Sequence, residues 1–263
     1  MFWLPALLLF SSITAHVNDY FYTAPPDSTL NHKQYTIYNL EPYGKYYIDN
    51  PKDCLKRRIV QGIADEPEVL NRVLELTKPN MTVLDVGAHI GTFSIPIAKK
   101  LAGTGHLYSF EPQKKLVCEL AHNLELNNCH GTKILNVALG DQIQTVRMCS
   151  PMKNNEGAGF IGKGGELAQM VTLDSLNLGK VDLIKIDVEN SEYLVLLGAR
   201  ETILRDRPTI IMEIGGNRRK RAFDRIGGTT HHNRVMKLMN ELGYDNVNLS
   251  WKNFIFTPKE ENS

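Results

Sequence analysis

The chain has 263 residues, enough for one or two domains at about 150 residues each. Hydrophobic residues make up 42% and charged residues 22%, the balance of an ordinary globular protein. The 30 Lys and Arg against 29 Asp and Glu leave a formal charge of +1. That excludes a protein that grips nucleic acid by overall charge, so no nucleic-acid partner is expected. Four cysteines are too few for a disulfide scaffold, and no run reaches the roughly 18 apolar residues of a membrane span.

Residues 1–15, MFWLPALLLFSSITA, join an apolar run to a small-residue stretch. They read as a signal peptide or anchor, although no Lys or Arg precedes the run. On that reading the protein enters the secretory pathway or meets a membrane through this segment, and otherwise it is cytoplasmic. A buried N-terminal helix or strand is the alternative. Cys54, Cys118, Cys129 and Cys149 match no zinc or redox spacing and read as isolated buried thiols.

Residues 16–64 form a Tyr-rich lead. Gln34–Asn39, a Glu41-Pro42-Tyr43-Gly44 turn and Lys45–Asp49 predict a β-hairpin. It either covers a sheet or lines a cleft. From Pro67 the spacing predicts an amphipathic helix to Thr77, with Val69, Leu70, Val73, Leu74 and Leu76 on one face. Strands are then predicted at Thr82–Val86, His106–Phe110, Lys133–Leu139, Val181–Val188 and Thr209–Glu213. Helices are predicted at Thr92–Leu101, Lys114–Asn127, Ser191–Arg200 and His232–Leu242. Two last strands, Asp245–Leu249 and Lys252–Phe256, are close enough to form an antiparallel hairpin at a sheet edge. The alternation predicts an α/β fold with a mostly parallel sheet and helices on both faces. Residues 141–172 break the rhythm and read as a hairpin-like insertion.

Val83-Leu84-Asp85-Val86-Gly87-Ala88-His89-Ile90-Gly91 runs an apolar strand into a glycine turn and a helix. Ligands bind at the carboxyl ends of such strands. Gly87 permits a tight turn and close backbone approach, and Gly91 lets the next helix pack. Glu111 follows Gly91 by 20 residues, the distance of a carboxylate that reads ribose hydroxyls. The dinucleotide pattern G-x-G-x-x-G is missing its middle glycine, and a carboxylate stands at the strand end. That carboxylate would repel a pyrophosphate and suit a sulfonium or ammonium. S-adenosylmethionine is therefore the expected cofactor, with a nicotinamide dinucleotide the weaker choice.

The ordered blocks carry a family resemblance. They are Glu66-Pro67-Glu68, Leu84 to Gly91, Tyr108-Ser109-Phe110-Glu111-Pro112 and Asn136-Val137-Ala138-Leu139-Gly140-Asp141. Thr172-Leu173-Asp174-Ser175-Leu176, Asp182 to Glu189 and Pro208 to Glu213 complete the set. Over residues 64–257 the chain resembles the FkbM methyltransferases, a branch of the S-adenosylmethionine-dependent class. The resemblance implies a class I methyltransferase fold, a Rossmann-like seven-stranded sheet, in a domain spanning 65–258 with the insertion at 141–172. A polar tail remains at 259–263. It places Asp85, Gly87, Ala88 and Gly91 around the methionine part of the cofactor, with His89, Thr92 and Phe93 beside it. Glu111 and Pro112 then lie at the ribose, Asn136, Val137 and Ala138 at the adenine, Glu66 near the entrance, and Asp187 facing the methyl group. His89 and Asn190 depart from the family's usual Asn and Gly.

In Ile184-Lys185-Ile186-Asp187-Val188-Glu189, strand alternation points Lys185, Asp187 and Glu189 the same way. Charges inside an apolar strand are costly unless paired or used. The functional reading is methyl transfer to a hydroxyl of a small molecule or glycan. Asp187 or Glu189 is then the general base, and Lys185 steadies the carboxylate and the developing alkoxide. A structural Lys–Asp pair is the alternative. Asp187, Glu189 and Glu213 are also hard oxygen ligands, but nothing in their spacing demands a metal, and none is assigned. The basic run Arg218-Arg219-Lys220-Arg221 reads as a solvated loop or an anionic-acceptor site. A non-catalytic binding protein on the same fold is the competing function.

Overall fold

The computed structural model describes residues 20–22, 35–149, 154–215, 225–226 and 229–260. The signal-like segment, the basic run and most of the polar tail lie outside them. A hairpin, β1 (Thr36–Leu40) and β2 (Gly44–Ile48), opens the ordered chain, followed by α1 (Cys54–Val60) and α2 (Pro67–Leu76). Then β3 (Thr82–Val86), α3 (Ser94–Leu101), β4 (His106–Phe110), α4 (Lys114–Leu126) and β5 (Thr132–Leu135) alternate. Next come β6 (Val137–Leu139), β7 (Gln144–Cys149), β8 (Phe160–Ile161) and β9 (Glu166–Val171). The remainder is β10 (Leu183–Ile186), α5 (Glu192–Leu197), α6 (Arg200–Asp206) and β11 (Thr209–Glu213), then the short pair β12 (Arg225–Ile226) and β13 (Thr229–Thr230). α7 (His231–Glu241), β14 (Tyr244–Asn248) and β15 (Asn253–Pro258) end it.

Seven strands form the main sheet in the order β14-β15-β11-β10-β3-β4-β5. The pairs from β11 to β5 are parallel, and β15 is antiparallel to both its neighbours. β3 is buried along its whole length, as a central parallel strand covered on both faces must be. Alternation along the strands assigns the faces. Leu84, Val86, Ile184 and Ile186 pack with Val195, Ile203 and Val235 from α5, α6 and α7. Val83, Leu183 and Ile211 pack on the other face with Val69, Val73 and Ile97 from α2 and α3.

Three expectations are corrected. The strand expected at Lys133–Leu139 is two strands in different sheets, β5 in the main one and β6 in a second. Asn136 is the joint, because its amide turns back to the Glu111 and Pro112 carbonyls at 2.9 and 3.0 Å. The insertion is more than a hairpin: β6-β9-β7-β8 make a four-stranded sheet, with β6 parallel to β9. The helix expected at Ser191–Arg200 breaks at Gly198 into α5 and α6. There a Cβ would stand 1.8 Å from the Gly140 carbonyl oxygen, so the insertion's edge runs against the helix break. The four cysteines are free thiols, but only Cys118 and Cys129 are buried as expected; Cys149 is half-buried and Cys54 exposed. The tyrosines of the hairpin cover rather than line: Tyr46 is fully buried against Ile48, Leu120 and Ile134. Among the described residues, no helix is long and apolar enough to cross a membrane.

Candidate active site

A cavity of about 350 Å³ opens at the carboxyl ends of β3, β4, β10 and β11. Its floor comes from the turns that follow these strands. Gly87 follows β3 with φ +88, and a Cβ there would lie 1.9 Å from the Asp187 carbonyl oxygen. No other residue fits this crossing of two strand ends. The Gly87 and Ala88 N–H groups both donate to the Phe110 carbonyl at 3.0 Å. His89 follows in the left-handed region, φ 50. Gly91 lies behind the floor, where a Cβ would press on Leu120 at 2.8 Å, so it brings α3 close to α4.

Glu111 lies just past the end of β4, almost fully buried. Its two carboxylate oxygens accept from the His89 and Gln113 backbone N–H groups at 3.0 and 2.9 Å. Burial lifts its carboxyl to about 7, against the downward pull of those two bonds. Beside it the wall is apolar: Phe110, Val137, Ala138, Leu139, Met148 and Ile161. At the opposite end stand Glu66, Asp187, Glu189 and Glu213 with Lys252. Glu66, Asp187 and Glu213 offer oxygens within 4.8 Å of one another. Lys252 ion-pairs with Glu213, and Asn253 donates to Glu66 at 2.9 Å. Burial and the Asp187 charge raise Glu213 to about 8 in spite of Lys252. Such a carboxylate group could hold a hard cation, yet lysines already stand against two of its members, Lys252 at Glu213 and Lys185 at Asp187.

The expected site residues divide in two. Glu66, Gly87, His89, Glu111, Pro112, Val137, Ala138, Asp187 and Glu189 line the cavity. Asp85, Ala88, Gly91, Thr92, Phe93, Asn136 and Lys185 lie outside that lining. For Asp85 and Lys185 the reason is strand parity. They are register partners on β3 and β10, and both point into the layer between sheet and helix α3. There Asp85 accepts from Ser94 Oγ at 2.6 Å. Lys185 Nζ lies 3.9 Å from Asp85, 3.4 Å from Asp187 and 4.4 Å from the Phe93 ring centre. Asp85 is fully buried and lies outside the cavity lining, and its burial raises its carboxyl. The alternation expected through Glu189 also fails. β10 ends at Ile186, and Glu189 and Asn190 are both left-handed, φ 50 and 71. Asn190 thus holds the turn its usual glycine would hold. Asn136 ties the Glu111–Pro112 turn to the end of β5, and its neighbours Val137 and Ala138 line the cavity.

The roof was not foreseen. Cys54, Leu55 and Arg58 from α1 cover the cavity together with Asn155, Gly157 and Gly159 from the second sheet's long connection. A buried ionic cluster clamps these two segments. Lys56, with no exposed surface, reaches Asp49 at 2.6 Å and Glu119 and Glu156 at 2.7 Å. Lys115 joins Asp49 and Glu156 at 2.7 and 2.5 Å. Burial alone would lower the Lys56 pKa, but Glu119, Asp49 and Glu156 hold it above the ordinary lysine value. Asp53 caps α1 through the Leu55 and Lys56 N–H groups and also accepts from the Glu156 N–H at 2.8 Å. Asp53 followed by Leu55 and Ile59 is a readable helix start; its contact with residue 156 has no local signal.

A family comparison agrees with this architecture: the methyltransferase FkbM domain matches residues 85–245. The chain belongs to the FkbM methyltransferase family. It is thereby a member of the S-adenosylmethionine-dependent class with the class I sheet. An FkbM methyltransferase structure from Methylobacillus flagellatus is 15% identical, with a TM-score of 0.47 over 77% of this chain. This chain spans 59% of that structure's length. A SAM-dependent methyltransferase from Aquifex aeolicus is 13% identical, over 75% of this chain and 94% of its own, with a TM-score of 0.45. Fibrillarin from Aeropyrum pernix, with natively bound S-adenosyl-L-methionine, is 14% identical over 87% and 84%, with a TM-score of 0.43. These likenesses are too distant to carry a functional argument. No curated protein matches the chain.

Proposed function

We propose that this FkbM-family protein binds S-adenosylmethionine and methylates a hydroxyl of a small molecule or glycan. One observation carries the reading: the cavity offers an apolar wall, a buried carboxylate and an acidic end in sequence. The wall of Phe110, Val137, Ala138 and Met148 suits a purine. Glu111, when ionised, accepts from ribose hydroxyls. Glu66, Asp187 and Glu189 favour a cationic sulfur at the far end, whereas Glu213, raised to about 8, adds its charge only toward that pH. When bound, S-adenosylmethionine supplies an electrophilic methyl group there.

The chain's own residues do the rest. The acidic end holds the acceptor oxygen within reach of a carboxylate, which is the larger part of such catalysis. Asp187 or Glu189 takes the hydroxyl proton as the oxygen is methylated. Lys185 does not touch the acceptor; its Nζ, 3.4 Å from Asp187, positions that carboxylate from below. The roof limits water at the reacting end.

Calorimetric titration of the full chain with S-adenosylmethionine, then incubation with deuterated-methyl cofactor and a panel of polyols, sugars, phenols and amines, tests the reading. Mass spectrometry should find the labelled methyl on oxygen. Folded protein that binds no cofactor overturns the cofactor assignment, and labelling of amines alone overturns the hydroxyl assignment.

A further inference from the structure

Two consecutive residues of the turn after β10 are left-handed, Glu189 at φ 50 and Asn190 at φ 71. Asn tolerates that conformation, whereas Glu is rarely found there unless its surroundings hold it. Glu189 lines the acidic end of the cavity, so the strain falls on a residue of the site. The hold on the turn comes from behind. Glu192, 1% exposed at the start of α5, accepts from the Asn190 N–H through Oε1 at 3.0 Å. Its other oxygen, Oε2, meets Nε2 of His231 at 2.5 Å, and His231 is 6% exposed at the start of α7. A third contact closes the turn from the end of β11: a Cβ on Gly215 would stand 2.2 Å from Asn190 Oδ1. A buried Glu–His pair is seldom more stabilising than apolar side chains of the same volume. One helical turn further along, α5 and α7 do pack through Val195 and Val235. What the pair offers that valines cannot is an acceptor for the Asn190 N–H.

We propose that Glu192, anchored by His231, is a positioning residue that fixes the Asn190 turn and thereby aims the Glu189 carboxylate at the cationic sulfur of the cofactor. The inference rests on the cofactor reading above. Glu192 lies outside the cavity lining, so it touches no ligand and acts only through the turn. Its effect is therefore on charge. A carboxylate that shifts by about an ångström changes the attraction for a sulfonium and leaves a neutral thioether nearly untouched. A residue that only stabilised the fold would treat the two sulfurs alike.

The full chain is titrated calorimetrically with S-adenosylmethionine and with S-adenosylhomocysteine, which lacks the methyl group and the sulfur charge. The measured quantity is the ratio of the two affinities. Glu192→Ala should move it about threefold to tenfold toward S-adenosylhomocysteine. Glu192→Gln keeps an oxygen for the Asn190 N–H and should restore the ratio of the unchanged chain. In a Glu189→Gln background the Glu192→Ala shift should vanish, because the charge being aimed is gone. An unmoved ratio in Glu192→Ala, or an equal fall for both ligands, overturns the proposal. So does a shift that persists without the Glu189 charge, or one that Glu192→Gln shares. Where Glu192→Ala does not fold, His231→Ala takes its place in the same cycle; it leaves Glu192 its Asn190 bond and removes the anchor. Its ratio should move the same way only while Glu189 is charged, and an unmoved ratio again overturns the proposal. If the unchanged chain binds neither ligand, the cofactor reading falls first, and this inference with it.

Discussion

The floor and the roof of the cavity are built on opposite principles. The floor is local: strand, glycine turn and helix follow within a dozen residues, and Gly87, His89 and Glu111 are held mainly by backbone hydrogen bonds. The roof is distant: its clamp joins Asp49, Lys56, Lys115, Glu119 and Glu156 from four separate segments, through charges. A floor of this kind is set by conformation and fails when a backbone position is violated. A roof of this kind is set by desolvated ion pairs and fails when one charge loses its partners.

The sharpest way to break the contrast is Lys56→Ala. It leaves Glu119, which is fully buried, with only the half-exposed Lys115 at 3.5 Å beside two other carboxylates, and should cost about 3–5 kcal/mol of stability. Urea denaturation measures this, and a cost below about 1 kcal/mol would show the cluster to be solvated. Gly87→Ala attacks the floor instead. The strand ends must part to admit its Cβ, at about 2–3 kcal/mol. It should weaken cofactor binding more than its stability loss explains, as paired denaturation and calorimetry would reveal. Glu111→Ala should leave the fold standing and lower affinity for S-adenosylhomocysteine about ten- to hundredfold.

The pH dependence separates floor stability from floor function. Glu111 moves from an ordinary 4.5 to about 7 on burial, so the folded state holds its proton more tightly than the unfolded state. Its stabilising contribution is complete below 4.5 and is lost as pH rises through about 7. On the proposed reading ribose hydroxyls bind the ionised form, so affinity should rise over the same interval. Glu111→Gln should flatten that rise in a titration series from pH 5 to 9. The smallest effect is expected from Glu75→Ala, which breaks the exposed Arg72–Glu75 pair at 2.9 Å. It should change stability by less than about 0.5 kcal/mol, and a larger value would mean that surface pairs carry more here than the clamp comparison allows.

The same contrast explains what was legible in the sequence. The sheet was readable because buried parallel strands are short runs of Val, Leu and Ile, as in Leu183–Ile186, and because Gly87 and Glu111 hold fixed offsets from their strands. The place of Asp85 and Lys185 behind the cavity lining is not legible, because alternation tells which residues share a face. It does not tell whether that face meets a helix or a ligand. The break at Asn136 was hidden inside a continuous apolar run, since only a side-chain amide binding back to Glu111 and Pro112 creates it. Lys56 and Glu156 stand a hundred residues apart, and no local pattern announces that they meet.

The crossover of β6 from one sheet to the next has a consequence for anyone reshaping the molecule. Val137, Ala138 and Leu139 leave the main sheet behind and take their backbone partners from β9, at the far end of the segment that looks like an insert. Excising that segment would not trim a loop. It would unzip the face on which the purine is expected to rest, and it would remove Glu156, the fastening of the roof, in the same cut. Grafts between relatives should therefore carry residues 137–171 as one block.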